Sequence, residues 1–255
     1  MEKISVIVPT YNRQKHYRNL ILGFLAQTYP NTELLICDDS EAPSDYLRAI
    51  SREHRNITYL HHSPVTSIGE KRNILIHLAN GEIIAQFDDD DYYAPSYLET
   101  MYTELQQREL DFITLSRWFA YAVQNNTFAY WETDHIGAVH FALNVDGSIA
   151  PYGEKDLSPG FVTNNLWGYG FSYMFRKKII EQVQFQNMNF GEDFDFYQRL
   201  VKAGFKAGYI PDEKGLVLHM LHPNSTSRIF PQCILPNGLL HTLFPGIKPY
   251  LANLD

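Results

Sequence analysis

Cysteine is scarce in this chain of 255 residues, in which only Cys37 and Cys233 occur. Two cysteines do not make the network of disulfides that holds small secreted domains together, so the sequence excludes that class and suits a reducing compartment. Because Cys37 lies inside an apolar run, we expect it to be a small buried hydrophobic residue.

Long apolar runs are missing as well. No stretch has the roughly 20 consecutive apolar residues that a membrane-spanning helix needs, and the first residues lack the layout of a signal peptide. We therefore expect a cytoplasmic protein without a transmembrane segment. Peripheral association with the inner face of the membrane stays open.

Positive charge is also low. The net charge at pH 7 is −8, from 21 Lys and Arg against 29 Asp and Glu. Such a protein repels nucleic acid and anionic membrane surfaces as a whole, so we expect no nucleic-acid partner. An acidic protein that handles a nucleotide needs local cations, either a metal or a few well-placed Arg and Lys.

The first 110 residues alternate short apolar runs with helical patterns. Strict alternation favours parallel βαβ units with right-handed crossovers. The predicted fold class is therefore α/β, with a Rossmann-like, mostly parallel central sheet and helices on both of its faces. The predicted strands are Ile4–Val8, Glu33–Cys37, Ile57–Leu60 and Glu82–Phe87, and the predicted helices are Tyr17–Gln27, Pro43–Glu53, Glu70–Ala79 and Pro95–Gln107.

The second half of the chain is less regular. Residues 124–168 are rich in Asn, Gly, Pro and aromatics, and we predict mainly loop with short hairpins, which at this length is typical of a lid or binding surface. A proline-rich tail begins at Pro223 and is expected to wrap the surface. Further predicted elements are the strands Gly170–Phe175, Lys206–Ile210 and Gly215–Met220, a helix from Lys177, and the helix Glu192–Ala203.

A run of four aspartates, Asp88–Asp91, follows the fourth predicted strand and precedes Pro95. Four carboxylates do not share a small space as bare anions, because like charges at short distance repel. A hard divalent cation such as Mg²⁺ or Mn²⁺ is the usual relief. The alternative is a solvated acidic turn, but the position of the run at a strand end favours the metal.

Three polar clusters follow predicted strands. They are Pro9–Asn12, Asp38–Ser40 and Asp88–Asp91. Ligands of parallel α/β sheets bind outside the carboxyl ends of the strands, where these clusters meet. The sequence therefore predicts a binding site at one edge of the sheet.

Five motifs, in this order, resemble those of the family 2 glycosyltransferases, which have the GT-A fold. They are Ser5–Arg13, Asp38–Ser40, Gly69–Asn73, the aspartate run and Gly191–Asp193, and the match covers roughly residues 1–225. The resemblance implies the inverting transfer of a sugar from a nucleotide-sugar donor to a saccharide or glycoconjugate acceptor, with Mn²⁺ or Mg²⁺.

The resemblance also implies a domain organisation. Residues 1–222 are expected to form a single GT-A catalytic domain, with a nucleotide-sugar-binding half at 1–110 and a smaller acceptor-binding half at 111–222. Residues 223–255 are then a C-terminal extension.

Donor binding is the first role that the resemblance assigns. The carboxylate of Asp39 would accept an N–H from the base, which favours uracil or guanine over a base edge without one. The guanidinium of Arg72 suits phosphate or base oxygens, whereas Lys71 beside it is expected to face solvent. The nucleotide-sugar-binding residues are expected to be Pro9, Thr10, Tyr11, Asp39, Arg72, Asp88 and Asp89.

The metal is expected to bind Asp90. Asp88 would hold ribose or a metal-bound water, and Asp91 would cap the helix behind Pro95. Some members of the family supply a late histidine as a further ligand, and we favour His222 over His219 for it.

Asp193 is expected to be the general base, because an inverting transfer needs a carboxylate that takes the proton of the acceptor hydroxyl. Glu192 precedes it, is expected to point in a different direction and is assigned to acceptor binding. The alternative is that both only stabilise a helix N-terminus.

Aromatic residues are expected on the acceptor side, because sugar rings bind on aromatic faces. Trp167 and Tyr169 are the main candidates, with help from Trp118, Tyr130 and Trp131. The alternative is that these aromatics fill the core.

The predicted function is that of a metal-dependent inverting glycosyltransferase, with a UDP-sugar donor, in surface polysaccharide synthesis. A glycosyltransferase that modifies nucleic acid is disfavoured by the acidic charge. A nucleotide-sugar pyrophosphorylase is disfavoured because Pro-Thr-Tyr-Asn stands where a glycine-rich basic loop is expected. A sugar-binding relic without activity is disfavoured because both acidic motifs are intact.

Overall fold

A large β-sheet forms the centre of this computed structural model, which describes residues 1–135, 140–152, 158–225 and 228–252. Within these ranges the sheet has 11 strands, and a separate two-stranded hairpin lies outside it. Helices pack on both faces of the sheet. The predicted α/β class is therefore confirmed.

The strands are short apart from one of 11 residues in the middle of the chain. They are β1 Ile4–Thr10, β2 Thr32–Asp38, β3 Ile57–His61, β4 Ile83–Gln86, β5 Tyr92–Tyr93, β6 Phe112–Ala122, β7 Thr127–Glu132, β8 His140–Leu143, β9 Ile149–Tyr152, β10 Met174–Arg176, β11 Ala207–Pro211, β12 Val217–Leu221 and β13 Cys233–Leu235.

The helices are short too, and within the described ranges no helix has the length and apolar character to cross a membrane. They are α1 Tyr17–Leu25, α2 Asp45–Glu53, α3 Ile68–Leu78, α4 Tyr97–Gln107, α5 Pro159–Trp167, α6 Glu192–Lys202, α7 Asn237–Leu243 and α8 Ile247–Ala252. Single 3₁₀ turns occur at Val123–Asn125, Gly170–Ser172 and Lys177–Glu181.

The sheet runs in the order β13-β7-β6-β10-β4-β1-β2-β3. Strands β1 to β4 are parallel where they pair, and β10 is antiparallel to both β4 and β6. Strand β6 also pairs in parallel with β11 and β12, which lie off this path. The carboxyl ends of β1, β2 and β4 consequently lie at one edge, as the alternation predicted.

Two hydrophobic clusters cover the two faces of the sheet. Successive side chains of a strand point to opposite faces, so Val6 and Val8 of β1 join the cluster that contains α1 and α4, while Ile7 joins the cluster that contains α3 and α6. Cys37 on β2 is buried in the second cluster, as expected.

The segment 124–168 contains more regular structure than we predicted, and its residues 136–139 and 153–157 lie outside the described residues. It includes β7, the β8–β9 hairpin and α5. The side chain of Ser158 accepts a hydrogen bond from the Phe161 amide, and Pro159 occupies the first turn of α5. The Ser-Pro-Gly sequence reads as a loop, but Ser followed by Pro is also a common helix start.

The C-terminal tail does not simply wrap the surface, so that expectation was wrong. Helices α7 and α8 bury Leu240, Phe244, Ile247 and Tyr250 in a third hydrophobic cluster. The prolines shape this segment without excluding helices, since Pro236 stands at the N-cap of α7.

A tight turn before β12 is organised by Asp212, whose side chain is fully buried. Its carboxylate accepts hydrogen bonds from four successive backbone amides, those of residues 214 to 217, at 2.7–3.0 Å. This turn sets the start of β12, the strand that carries His219.

Replacing Asp212 by Asn should destabilise the protein by about 2–4 kcal/mol, because an amide offers one acceptor oxygen to a set of buried N–H groups that needs two. Urea unfolding measures the loss. The matched control is Asp45→Asn on α2, where the side chain is 98% exposed, and this change should stay within about 0.5 kcal/mol. Equal unfolding midpoints for the two variants would contradict the structural role of Asp212.

Candidate active site

A cavity of about 1040 Å³ opens at the carboxyl edge of β1, β2 and β4. The structure brings most of the predicted site residues to this one cavity. Those that line it are Pro9, Thr10, Tyr11, Asp39, Arg72, Asp88, Asp89, Asp90, Tyr169, Glu192 and Asp193.

The four aspartates are buried or nearly so, and they point to different partners. Asp89 accepts a hydrogen bond from the hydroxyl of Thr10 on β1. Asp90 Oδ2 lies 2.9 Å from His222 Nε2. Distinct contacts thus separate the carboxylates of the run, which reduces their predicted repulsion without removing it.

Burial and mutual repulsion raise the pKa of Asp88, Asp89 and Asp91, that of Asp89 to about 8. Asp90 differs. The hydrogen bond from His222 and the charge of Arg13 outweigh burial and lower the pKa of Asp90 to about 2. Asp90 is therefore the carboxylate of the run that is held ionised.

Asp91 is not a helix cap, so that expectation was wrong. Its carboxylate accepts hydrogen bonds from His219 Nδ1 and from the Met220 amide, both at 2.8 Å. Burial of His219 lowers its pKa, but the charge of Asp91 and the hydrogen bond to it outweigh this effect and raise the pKa of His219 to about 8. Asp91 thus ties β12 to the aspartate run, and the N-cap of α4 is Ser96.

Two residues that the sequence interpretation left without a role surround Asp90 and His222. The His16 ring stacks on the His222 ring with centroids 5.0 Å apart. Arg13 Nη2 lies 3.7 Å from Asp90 Oδ2 and donates to the Asn224 carbonyl at 2.9 Å. Arg13 ends the motif after β1, and its position there was the available signal.

Asp90 offers a carboxylate oxygen to a metal. His222 Nε2 donates its proton to Asp90 while Nδ1 accepts the Asn224 amide, so His222 offers a nitrogen lone pair to a metal only after Nε2 loses that proton. Among the described residues, no group of three or more His, Cys, Asp or Glu is arranged to hold a metal ion. Two protein ligands fit a hard cation such as Mg²⁺ or Mn²⁺, which keeps water and takes phosphate oxygens of a substrate in its other positions.

Lys71 is buried, so the expectation that it faces solvent was wrong. Its ammonium lies 2.7 Å from Asp39 Oδ1 and donates to the Thr10 carbonyl at 3.0 Å. The other oxygen of Asp39 accepts the Thr66 amide at 2.8 Å. The N-terminal end of α3 projects into the cavity, where Asp39 supplies the charge that a buried lysine needs.

The carboxylates of Glu192 and Asp193 both contact Arg72. Arg72 Nη1 lies 2.7 Å from Glu192 Oε1 and 2.5 Å from Asp193 Oδ1, so the two carboxylates do not diverge as expected. Burial raises the pKa of Asp193 to about 7, against the opposing effect of Arg72. Asp195 points elsewhere and pairs with Arg199, as expected.

Gly170 was missed by the sequence interpretation. Its amide donates to Asp193 Oδ2 at 3.1 Å, and a Cβ at this position would overlap the Asp193 carboxylate. Glycine is therefore required here by close approach, and the signal in the sequence was only a glycine next to an aromatic residue.

Trp167 is a core residue, so its assignment to acceptor binding was wrong. Its ring stacks on Tyr197 with centroids 4.1 Å apart in the second hydrophobic cluster. Tyr169 does line the cavity, and its hydroxyl donates to the Arg228 carbonyl at 2.5 Å. Trp118 and Trp131 pack against each other in the first cluster, and Tyr130 packs on Phe119.

The fold and this cavity are those of an α/β enzyme with an acidic site at the carboxyl edge of its sheet. The family model described as Glycosyl transferase family 2 matches residues 5–184. The chain therefore belongs to glycosyltransferase family 2.

Two curated relatives show how far the similarity extends. Glycosyltransferase GlyA of Streptococcus pneumoniae serotype 4 is 23% identical over 234 residues, which are 90% of this chain and 32% of GlyA. The Escherichia coli UDP-Glc:alpha-D-GlcNAc-diphosphoundecaprenol beta-1,3-glucosyltransferase WfgD is 28% identical over 110 residues, which are 43% of this chain and 44% of WfgD. The chain thus spans less than half the length of either relative.

Solved structures share the fold. Staphylococcus aureus TarS superposes with a TM-score of 0.62 at 18% identity, over 87% of this chain and 37% of TarS. The mannosyltransferase PcManGT of Pyrobaculum calidifontis, solved with GDP-Man and Mn²⁺, gives a TM-score of 0.60 at 16% identity, over 88% of this chain and 58% of PcManGT. The GT-A fold that the motifs implied is thereby confirmed.

Replacing Arg72 by Gln should destabilise the protein by about 3–5 kcal/mol at pH 8, because Glu192 and Asp193 would be left buried without a cation. The loss should be smaller at pH 6. Without Arg72 the folded-state pKa of Asp193 rises further above its unfolded value, and a carboxyl of that kind costs more stability as the pH rises. Urea unfolding at both pH values measures the difference.

The matched control for this change is Arg48→Gln. Arg48 pairs with Asp45 on the surface of α2 at 3.9 Å, and its loss should change the stability by no more than about 0.5 kcal/mol. A destabilisation by Arg72→Gln that is the same at pH 6 and pH 8 would contradict the coupling of Arg72 to the two carboxylates.

Proposed function

We propose that this protein is a metal-dependent, inverting glycosyltransferase that moves a sugar from a nucleotide-sugar, with UDP as the expected nucleotide, to a saccharide or glycoconjugate acceptor. The observation that carries the proposal is that one cavity contains both Asp90, paired with His222, and Asp193, held by Arg72. Asp90 and His222 are suited to stabilise a leaving diphosphate, and Asp193 is suited to accept the proton of an acceptor hydroxyl.

The relatives support a nucleotide-sugar donor. The name of WfgD specifies UDP-Glc, TarS has been solved with UDP-GlcNAc, and PcManGT has been solved with GDP-Man. We infer a role in surface polysaccharide synthesis, on the cytoplasmic side and at the inner face of the membrane, because the name of WfgD specifies a diphosphoundecaprenol acceptor and that of TarS specifies poly(ribitol-phosphate). Residues 1–110 serve the donor and 111–222 the acceptor in this proposal.

The base and ribose of the donor would bind at the ends of β1 and β2. Asp39 pairs with the Lys71 ammonium at 2.7 Å, and a carboxylate oxygen accepts the N–H of uracil or guanine. Tyr11 is 47% exposed at the cavity and presents a ring face to the base, while Pro9 and Thr10 shape the turn beneath it. Asp88 is assigned to the ribose or to a metal-bound water.

The diphosphate would bind beside Asp90 and His222, which are the residues that would hold Mn²⁺ or Mg²⁺. When bound, such a cation stabilises the negative charge of the leaving diphosphate. Arg13 lies next to both Asp89 and Asp90 and adds positive charge to the same place. Asp89, hydrogen-bonded to Thr10, orients this side of the donor.

Asp193 would act as the general base. The acceptor hydroxyl gives its proton to the Asp193 carboxylate while its oxygen bonds to the anomeric carbon and the bond from that carbon to the diphosphate breaks. A pKa of about 7 lets the carboxylate be ionised at neutral pH and still take a proton readily. Arg72 keeps Asp193 in place, and since it lines the cavity it is still proposed to contact the donor.

A nucleotide panel tests the donor and the metal together. Thermal unfolding is followed with UDP, GDP, ADP and CMP, with or without Mn²⁺, because a ligand of the native state raises the unfolding temperature. UDP with Mn²⁺ should give the largest shift, and excess chelator should abolish it. A protein that none of these nucleotides stabilises would contradict the proposed function.

Asp90→Asn and His222→Ala should each weaken the binding of Mn²⁺ in the presence of UDP by about 10–100-fold, because one of the two protein ligands is lost. Electron paramagnetic resonance of free Mn²⁺ measures this binding without any transfer. Asp195→Asn on α6 is the matched control and should bind Mn²⁺ like the wild type. Unchanged Mn²⁺ affinity in both site variants would refute the metal assignment.

Asp193→Asn should lower kcat by about 100- to 10,000-fold and leave nucleotide affinity unchanged, because only proton transfer is lost. In the wild-type protein the transfer rate should rise with pH and level off above a pKa of about 7, since the base must be ionised. Transfer is measured with the donor that the panel identifies. An equal loss of nucleotide binding and transfer would rule out Asp193 as the base.

A further inference from the structure

Phe190 is 81% exposed although it lines the candidate active-site cavity. Burying a phenyl side chain is favourable, and the folded chain leaves the free energy of burying this one unused. Tyr46 and Val201 are exposed too, but in the described part of the chain they lie away from the cavity. The exposed ring of Phe190 is placed where a substrate can cover it.

The backbone beneath Phe190 is held on α3. The Gly69 amide donates to the Met188 carbonyl at 3.3 Å, and the Ile68 amide donates to Asn189 Oδ1 at 3.0 Å. Gly191 follows with φ at +78°, a left-handed conformation that glycine adopts without strain, and α6 starts directly after it. The backbone that carries Phe190 is therefore held in place, which reduces the entropy lost when a ligand binds.

Another part of the cavity lining is polar. It comes from the last turns of α5, where Asn164 and Asn165 line the cavity. An amide side chain both donates and accepts hydrogen bonds, which matches the hydroxyls around a sugar ring. A cavity lined by both an exposed aromatic ring and amides suits a sugar ring, which is apolar on its face and polar at its edge.

Phe190 is also close in sequence to Asp193, the proposed general base. Asp193 lies three residues after Phe190, in the first turn of α6. The residues proposed for the donor come from other elements, namely the ends of β1, β2 and β4 and the start of α3. The cavity volume of about 1040 Å³ is just above the roughly 300–1,000 Å³ typical of single-ligand sites.

We propose that Phe190 determines acceptor specificity by packing against the apolar face of a pyranose ring, one hydroxyl of which reaches Asp193. This assignment rests on the proposed function, because it takes Asp193 as the base. It gives to Phe190 the part that was expected of Trp167, which is buried against Tyr197.

The test is saturation-transfer NMR with methyl β-glucopyranoside, methyl β-galactopyranoside and methyl 2-acetamido-2-deoxy-β-glucopyranoside, in the presence of UDP and Mg²⁺. At least one glycoside should bind to the wild-type protein. Phe190→Ala should raise its Kd about five- to tenfold, the effect of losing one aromatic contact. Phe190→Trp should keep the Kd within about twofold, and so should the control Tyr46→Ala, which removes an exposed ring from α2.

UDP affinity, measured in parallel, separates the two proposals. If UDP binds and the glycosides bind equally to wild type and Phe190→Ala, or do not bind at all, the role of Phe190 is overturned while the donor site stands. If UDP itself does not bind, the proposed function is contradicted, and with it the role of Phe190 that rests on it. A loss of glycoside binding in Tyr46→Ala as large as that in Phe190→Ala would also overturn the role of Phe190.

Discussion

Buried negative charge is the constraint on which the rest of the structure depends. Four consecutive aspartates follow β4, and each can be buried only if it has its own partner or takes up a proton. Thr10 serves Asp89, His222 serves Asp90, and Asp91 is held by His219 and the Met220 amide. These partners come from the two ends of the chain, so the run acts as a junction between them.

The C-terminal segment takes part in this junction. Tyr250 on α8 donates its hydroxyl to the Asp90 carbonyl at 2.6 Å, and Asn19 on α1 donates to the Tyr250 carbonyl at 2.9 Å. The third hydrophobic cluster holds α7 and α8 against β5 and β12. These contacts of α8 fix the backbone of Asp90, and a ligand or catalytic group must be held in this way to be placed precisely. A second acidic pair, on Arg72, faces the same cavity from α6.

Much of the fold was predictable from the sequence, because local patterns decide the first half. The apolar runs and helical spacings before residue 110 predicted β1 to β4 and α1 to α4 to within two residues at each end. Between residues 124 and 168 the same reasoning predicted short hairpins, of which β8–β9 is one, but missed α5. Among the site residues, the strand-end motifs were found, whereas Gly170, His16 and Phe190 have no local signature.

The sequence by itself determined the α/β class, the alternation of strands and helices in the first half and the polar clusters that meet at the carboxyl edge, since these follow from periodicity and from the geometry of parallel strands. Only the tertiary structure decided the partner of each charge. Lys71 is buried against Asp39, Asp91 binds His219 in place of a helix end, and Trp167 fills the core. Each outcome depends on the distance in space between residues that are far apart in the chain, and burial makes that distance decisive because an unpaired charge is costly away from water.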